Sequence, residues 1–382
     1  MPLVIYGPAS REYDFGTTHP FTPRRFGPGI ELLRALGAED FEAPEAASDE
    51  EILRIHDAEF VHKVRMLSDY PEAGDLAGFD IRDTPPFYGM HDAAATVVGG
   101  TLAGMDHILA GRRLHVFHPG GGLHHAFPGA ASGFCIYNDL AIAIRRARDA
   151  GHRVLYLDFD VHHGDGVEGI FWNDRDVVTV SIHETGLALF PGSGFVDDRG
   201  GHEAYGSAVN IPLEPGSGDP SWLAVVKLVV PEVAEAFRPT LLVTQNGCDS
   251  HVFDPLAHLQ VTTGAMSRAA RLADGMAHRF TEGRWLATGG GGYDVYRAVP
   301  RAWSLVWLAQ AHREVPEMTP PAWRERWTEE AAHHGQGPAP ATMLDDPRVA
   351  SPEPAGAMKT NLATARRALE HTLGIIAERR GL

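Results

Sequence analysis

The apolar residues of this chain fall into two alternating patterns. Short, nearly unbroken apolar runs cover Leu3–Tyr6, Leu114–Phe117, Val154–Asp158, Val177–Ile182, Val209–Leu213, Thr240–Gln245 and Trp285–Thr288. Such runs suit strands buried on both faces. Between them lie stretches where apolar residues return every three or four positions, the spacing of one helix face. These predict helices over Asp57–Tyr70, Met90–Gly111, Pro220–Phe237, Thr263–Phe280 and from Asp294 to about Gln310, with a shorter one near Val167–Trp172. Start and stop signals agree. Ser48-Asp49-Glu50-Glu51 is a capping box ahead of a helix bearing Ile52 and Ile55. Asn138 or Asp139 caps a helix through Ala150, and Gly151 stops it. Gly7–Gly29 and Gly78–Gly89 read as irregular loops.

Strand–loop–helix repetition predicts an α/β fold, a single three-layer α/β/α domain around a mainly parallel sheet. Sites in such sheets lie beyond the carboxyl ends of the strands. The unusual polar segments all follow predicted strands. His124-His125 comes after one, Asp160 and His162 close the next, Asn246-Gly247-Cys248-Asp249 follows a third and Gly289-Gly290-Gly291-Gly292-Tyr293 a fourth.

Asp158, Asp160 and His162 alternate, so strand periodicity sends all three to one side. A core strand cannot end in two carboxylates and an imidazole without neutralisation, because an unpaired buried charge is very costly. A hydrogen-bonded polar cluster is one solution and a divalent metal is the simplest. Carboxylate oxygen and neutral imidazole nitrogen suit zinc or another first-row metal. Asp160, His162 and Asp249 together give three ligands and leave one coordination position open, as catalytic zinc sites do. His124 and His125 suit general base and general acid near neutral pH. Asp158 and Asp165 are available to orient them. The Tyr293 phenol can donate to a developing oxyanion. The parts describe metal-assisted hydrolysis of an amide or ester. The glycine run lacks the following Lys-Ser/Thr of a phosphate loop.

Composition narrows the partners. The 382 residues carry 33 basic and 50 acidic side chains, a formal net charge of −17. That argues against nucleic acid and anionic membranes as partners, while a basic substrate can still be steered in. Two cysteines imply no disulfide framework. Met1–Ser10 lacks a signal-peptide pattern and no apolar run is long enough to span a bilayer, so the expected location is cytoplasmic. Residues 1–312 read as the catalytic domain and 313–382 as a C-terminal extension with Pro/Gly-rich segments. In it, Trp323 and Trp327 lie one helical turn apart and His333-His334 reads as solvated surface. Lys359–Arg380 is an amphipathic helix with Leu362, Leu369, Leu373 and Ile376 on one side. It is expected to pack on the body, a homo-oligomer contact being its other use.

Six segments in their order resemble the zinc-dependent histone deacetylase family. They are Gly121-Gly122-Leu123-His124-His125-Ala126, Ser132–Asp139, Asp158–Val167, Phe190-Pro191-Gly192-Ser193-Gly194, Gly247-Cys248-Asp249 and Gly289–Tyr293. The resemblance spans about Tyr6 to Gln310. Leu123 and the run Asp249–Leu259 are most like the bacterial acetoin-utilisation branch. It implies an arginase/deacetylase-like fold with an eight-stranded sheet. It implies zinc (or iron(II) in the cell) on Asp160, His162 and Asp249, and catalytic roles for His124, His125, Asp158, Asp165 and Tyr293. It further implies a tunnel walled by Phe134 and Phe190 beside Gly133, a rim Asp at Asp83, an inner-cavity Arg at Arg25 and a gate residue at Leu256. A structural potassium would use the Asp158 and Ser181 side chains. Leu123 stands where eukaryotic members carry Trp, and Leu256 where some polyamine deacetylases carry Glu.

The activity so implied is hydrolysis of Nε-acetyl-lysine, or a close acyl-lysine, on a protein or peptide, an acetyl-coenzyme A synthetase being one candidate substrate. Competing expectations are an acetylpolyamine or other small-molecule amidohydrolase, and a non-catalytic acyl-lysine binder. A binuclear manganese ureohydrolase would need more carboxylate ligands than these motifs supply.

Overall fold

The computed structural model describes residues 1–74, 79–80 and 82–381. Its strands are β1 (Leu3–Ile5), β2 (Phe41–Glu42), β3 (His115–His118), β4 (Val154–Asp158), β5 (Val177–Glu184), β6 (Ala208–Leu213), β7 (Leu241–Gln245) and β8 (Trp285–Thr288). They form one sheet in the order β2-β1-β3-β8-β7-β4-β5-β6. Every neighbouring pair is parallel.

Alternation along each strand feeds two cores. In β4, Val154 and Tyr156 join a cluster with Met105 and Ile108 of helix Met90–Leu109 and Leu140 and Ile144 of helix Asp139–Asp149. Leu155 and Leu157 join the opposite cluster with Trp222, Val226 and Val229 of helix Asp219–Phe237 and Ala269 and Ala273 of helix Thr263–Phe280. Truncating one such buried residue to Ala costs about 2–5 kcal/mol. Because all strands run one way, all their carboxyl ends lie at one edge. β3, β8, β7 and β4, which precede the four polar segments, are consecutive in the sheet.

Several expectations need correction. Gly7–Gly29 is not wholly irregular, since helix Phe26–Ala35 begins inside it. Its glycines disguised it. A Cβ at Gly29 would lie 2.5 Å from Trp303 Cε3, and one at Gly27 2.6 Å from Trp327 Cη2. Ring packing against bare backbone there outweighs the low helix propensity of glycine. The edge strand β2, two residues long, gave no sequence signal. The capping box at Ser48 forms, but its helix is one turn, Asp49–Ile52. The helix expected from Asp294 starts at Val299. The Asp294 carboxylate instead accepts from Arg297 N at 2.8 Å and pairs with the Arg297 guanidinium. Of the Gly78–Gly89 loop, residues 78 and 81 lie outside the described residues.

The tail is woven into the body. Trp323 and Trp327 of helix Pro321–His333 are buried, and Trp323 Nε1 donates to the Pro28 carbonyl at 2.9 Å. Helix Ala357–Arg379 packs on helix Asp219–Phe237 and on β6, burying Ala365, Ala368, Leu369 and Ile376. His333 and His334 are exposed. Between these helices, Asp345 pins the chain down. Its carboxylate accepts from Thr263 N at 3.0 Å and Thr263 Oγ1 at 2.7 Å. It also pairs with His251 Nε2 at 2.9 Å and with the fully buried Arg301 guanidinium at 2.8 Å. Burial alone would raise the Asp345 carboxyl, but the His251 hydrogen bond and the Arg301 charge hold it well below the usual range.

A carboxyl held low when folded adds stability that is complete above its unfolded value near 3.9 and fades as pH falls toward the folded one. Asp345→Asn is therefore expected to cost about 3 kcal/mol at pH 7, as breaking a buried pair does. The deficit relative to wild type should shrink below about pH 4. Denaturant melts of both proteins across pH 3–7 measure it; equal stability at pH 7 would remove Asp345 as an anchor.

Candidate active site

Asp158 is the last residue of β4, and Asp160 and His162 lie beyond the strand in a bend. They are therefore not placed by strand alternation, as the sequence suggested. The bend still turns all three inward, and each is at least nine-tenths buried. β7 ends at Gln245 and delivers Asp249, also fully buried. His162 Nδ1 lies 3.0 Å from Asp160 Oδ1 and 3.1 Å from Asp249 Oδ2. One ligand atom from each of the three residues falls within 4.8 Å of the others. A tetrahedral shell with bonds of 2.0–2.2 Å has edges of about 3.3–3.6 Å, so the donor set fits a divalent transition metal.

The remaining carboxylate oxygens are already engaged. Asp160 Oδ2 accepts from Gln245 Nε2 at 2.7 Å and Gly291 N at 2.8 Å. Asp249 Oδ1 accepts from Val161 N at 2.8 Å. Of the converging atoms, Asp160 Oδ1 also accepts from His162 N at 3.0 Å, and these outer bonds orient the donor set as those behind metal ligands do. Burial, then the nearby Asp160 charge, raises the Asp249 carboxyl to about 6. Burial would also raise Asp160, but His124 and His162 hold it well below the usual range.

The loop after β3 brings in the histidine pair. Asp139 accepts from Leu123 N at 2.7 Å and Gly122 N at 3.0 Å, and Asn138 Nδ2 donates to the His124 and Ala126 carbonyls. His124 Nδ1 lies 2.7 Å from Asp158 Oδ2, and His125 Nδ1 lies 2.6 Å from Asp165 Oδ1. The two Nε2 atoms are 3.0 Å apart. Burial would lower the His124 imidazole, but Asp158 and Asp160 raise it to about 9. Burial and then the His124 charge lower His125. The two rings are thus shifted in opposite directions. The two hydrogen bonds place a carboxylate behind each.

Around this centre, Phe190 stacks edge-on to His125 with centroids 5.0 Å apart, and Phe134 packs edge-on to Tyr293 at 5.9 Å. Tyr293 N donates to Asp254 Oδ2 at 2.8 Å. Burial, then the Asp249 and Asp160 charges, keeps the Tyr293 phenol protonated. Asp83 Oδ2 accepts from Gly133 N at 2.6 Å, which puts Asp83 beside Gly133 and Phe134. Leu256 packs, partly buried, on the cluster containing Leu123 and Tyr293. Arg25 is buried and donates to the Gly290 carbonyl at 2.7 Å. Asp158 and Ser181 are register partners across β4 and β5.

The model of the histone deacetylase domain matches residues 19–310. The chain belongs to the histone deacetylase family. It is 42% identical over 332 residues to the acetoin utilization protein AcuC of Bacillus subtilis (strain 168), covering 85% of this chain and 86% of that one. It is 40% identical over 331 residues to AcuC of Staphylococcus aureus (strain MRSA252), covering 85% of each. A crystal structure of an HDAC homologue complexed with SAHA superposes with a TM-score of 0.82 at 26% identity, covering 96% of this chain and 99% of that chain. This deacetylase-family hydrolase therefore falls with the AcuC-type branch and has the arginase/deacetylase-like fold.

Sequence reasoning missed four supporting residues of this deacetylase site. Gln245 closes a predicted strand, Asp254 lies in the Asp249–Leu259 run, and Asn138 and Asp139 belong to a helix cap and to the Ser132–Asp139 segment, but the sequence assigns none of them a role at the site. The available signal was burial: a polar residue directly after an apolar strand, or on the inner face of an amphipathic helix, needs a partner. The glycines do steric work that the sequence did not reveal. A Cβ at Gly291 would lie 2.0 Å from Asp249 Oδ2 and 2.8 Å from Asp160 Oδ2. Gly291→Ala is therefore expected to weaken metal binding by about 10- to 100-fold, the usual cost of disturbing ligand orientation. Titration of metal-stripped protein with zinc measures it; wild-type affinity would show that the carboxylates are free to shift.

Proposed function

We propose that the chain removes acetyl, or a related short acyl group, from the Nε of lysine on proteins. The observation that carries this reading is the pairing of two His–Asp dyads with a convergent, buried three-ligand set. A metal on Asp160, His162 and Asp249, zinc or iron(II), supplies Lewis acidity toward an amide carbonyl and acidifies water. The neutral His125, whose Nδ1–H is held by Asp165, presents Nε2 to accept a proton from the attacking water. His124, whose Nδ1–H is held by Asp158, sits beside the developing oxyanion, where its raised basicity favours positive charge. His125, once protonated, returns the proton to the departing amine. Tyr293 keeps its phenolic proton and donates it as a hydrogen bond to the oxyanion.

Phe134 and Phe190 wall an apolar passage suited to the lysine methylenes. Asp83 accepts backbone N–H groups of a peptide, as it does that of Gly133. The apolar Leu256 offers no charge to a second substrate amine, which favours acyl-lysine over acetylpolyamine. Arg25 lies behind the site, where it suits a leaving carboxylate, and the paired Asp158 and Ser181 suit a structural potassium. The names of the AcuC relatives connect the reading to acetoin utilisation, with an acetyl-coenzyme A synthetase as a candidate protein substrate.

Tyr293→Phe is expected to lower kcat on a fluorogenic acetyl-lysine peptide by about 100- to 1,000-fold, the cost of one oxyanion donor. KM should change little. Unchanged turnover removes Tyr293 from the mechanism. Higher kcat/KM for an acetylpolyamine than for the peptide would shift the assignment to a small-molecule amidohydrolase.

A further inference from the structure

At the opposite edge of the sheet, four side chains from three elements meet without any role in the chemistry above. His115 is the first residue of β3, at its amino end. Asp274 and His278 lie four residues apart near the end of helix Thr263–Phe280, on one helix face. His312 follows helix Val299–Gln310 with φ +53°, a left-handed turn that swings its ring back. His278 Nε2 lies 3.0 Å from His312 Nε2. Asp274 Oδ1 lies 3.2 Å from His312 Nε2, 3.4 Å from His278 Nε2 and 3.8 Å from His115 Nε2. One ligand atom from each of the four residues falls within 4.8 Å of the others.

His115 makes this more than a surface patch. Its ring is 93% buried, being 7% exposed. Its Nδ1 is 2.8 Å from the Gln310 carbonyl, so Nδ1 carries the proton and Nε2 carries the lone pair. That Nε2 is buried with no hydrogen-bond partner. A buried acceptor left open is unfavourable unless something fills it. A metal-ligating imidazole commonly shows this state, one nitrogen donating to a carbonyl and the other facing the ion.

We propose that His115, Asp274, His278 and His312 form a second metal site for a first-row divalent transition metal of the zinc type. Three imidazoles and one carboxylate match zinc's nitrogen and oxygen preference and do not suit magnesium or calcium, which take oxygen donors. The separations bracket the tetrahedral edge of about 3.3–3.6 Å. Four protein ligands close the shell, so this site is structural, in contrast to the open three-ligand set at the catalytic edge. It ties the start of β3 to the ends of two helices, just before the chain enters its C-terminal extension.

The test counts metal. The 382-residue chain is stripped, loaded with zinc, freed of excess by dialysis and analysed by inductively coupled plasma mass spectrometry. His278 and His312 side chains are 46% and 55% exposed, so His278→Ala/His312→Ala should fold and keep its deacetylase activity. The double variant is expected to hold one equivalent less metal than wild type. Asp249→Ala should lose the other equivalent and retain this one. In the Asp249→Ala background, cobalt should give a tetrahedral absorption band, and zinc should raise the melting temperature. Both effects should vanish on adding the double substitution. Equal metal content in wild type and the double variant overturns the proposal. A failure of Asp249→Ala to lose metal would count against the catalytic site instead.

Discussion

Two carboxylates, Asp160 and Asp249, are taken almost wholly out of water within reach of each other and of one imidazole. Neither tolerates that position uncompensated, because desolvating a charge beside a like charge is strongly unfavourable. Much of the surrounding structure answers this constraint. Gln245, Gly291 and Val161 occupy the outward oxygens, and Gly247 and Gly291 leave room where any side chain would collide with the carboxylates. The unmet charge is directed to a single point, the geometry a dication would satisfy. The sheet makes this affordable by holding four parallel strand ends side by side.

The histidine pair applies the same logic to protons. Both rings are buried and adjacent, and each has a carboxylate behind it, yet they do not titrate alike. His124 feels Asp158 and also Asp160, while His125 feels the charge that His124 then carries. Environments that drive two neighbouring groups apart in this way separate acid from base on one scaffold. The loop bearing them is held by Asn138 and Asp139, residues that also begin a helix, so one short segment both starts a helix and aims the two histidine rings.

The two histidine-rich poles of the molecule differ in a chemically meaningful way. The set at the carboxyl edge has three ligands and sits among aromatic walls. The set at the amino edge has four ligands, two of them open to solvent, and joins elements far apart in sequence. Open coordination serves reaction and closed coordination serves cohesion. The tail adds cohesion of another kind, through buried tryptophans and the Asp345 anchor. Helix Phe26–Ala35 depends on Trp303 and Trp327 lying against Gly29 and Gly27, so body and extension share one core.

Local pattern determined much of this. Among the described residues, the apolar runs and their spacing marked seven of the eight strands and most helices, because strand burial and helix faces imprint on the residues themselves. The order of the polar segments after those strands marked Asp160, His162, Asp249, the histidine pair and Tyr293. Other features were decided only by tertiary contact. The order β3-β8-β7-β4, which makes the four motif-bearing ends neighbours, follows from crossovers that no local window encodes. So do the support from Gln245 and Asp254, the helix hidden in a glycine-rich stretch, and the meeting of His115, Asp274, His278 and His312. Each depends on groups distant in sequence and near in space, where the energy lies in the pairing and not in either partner alone.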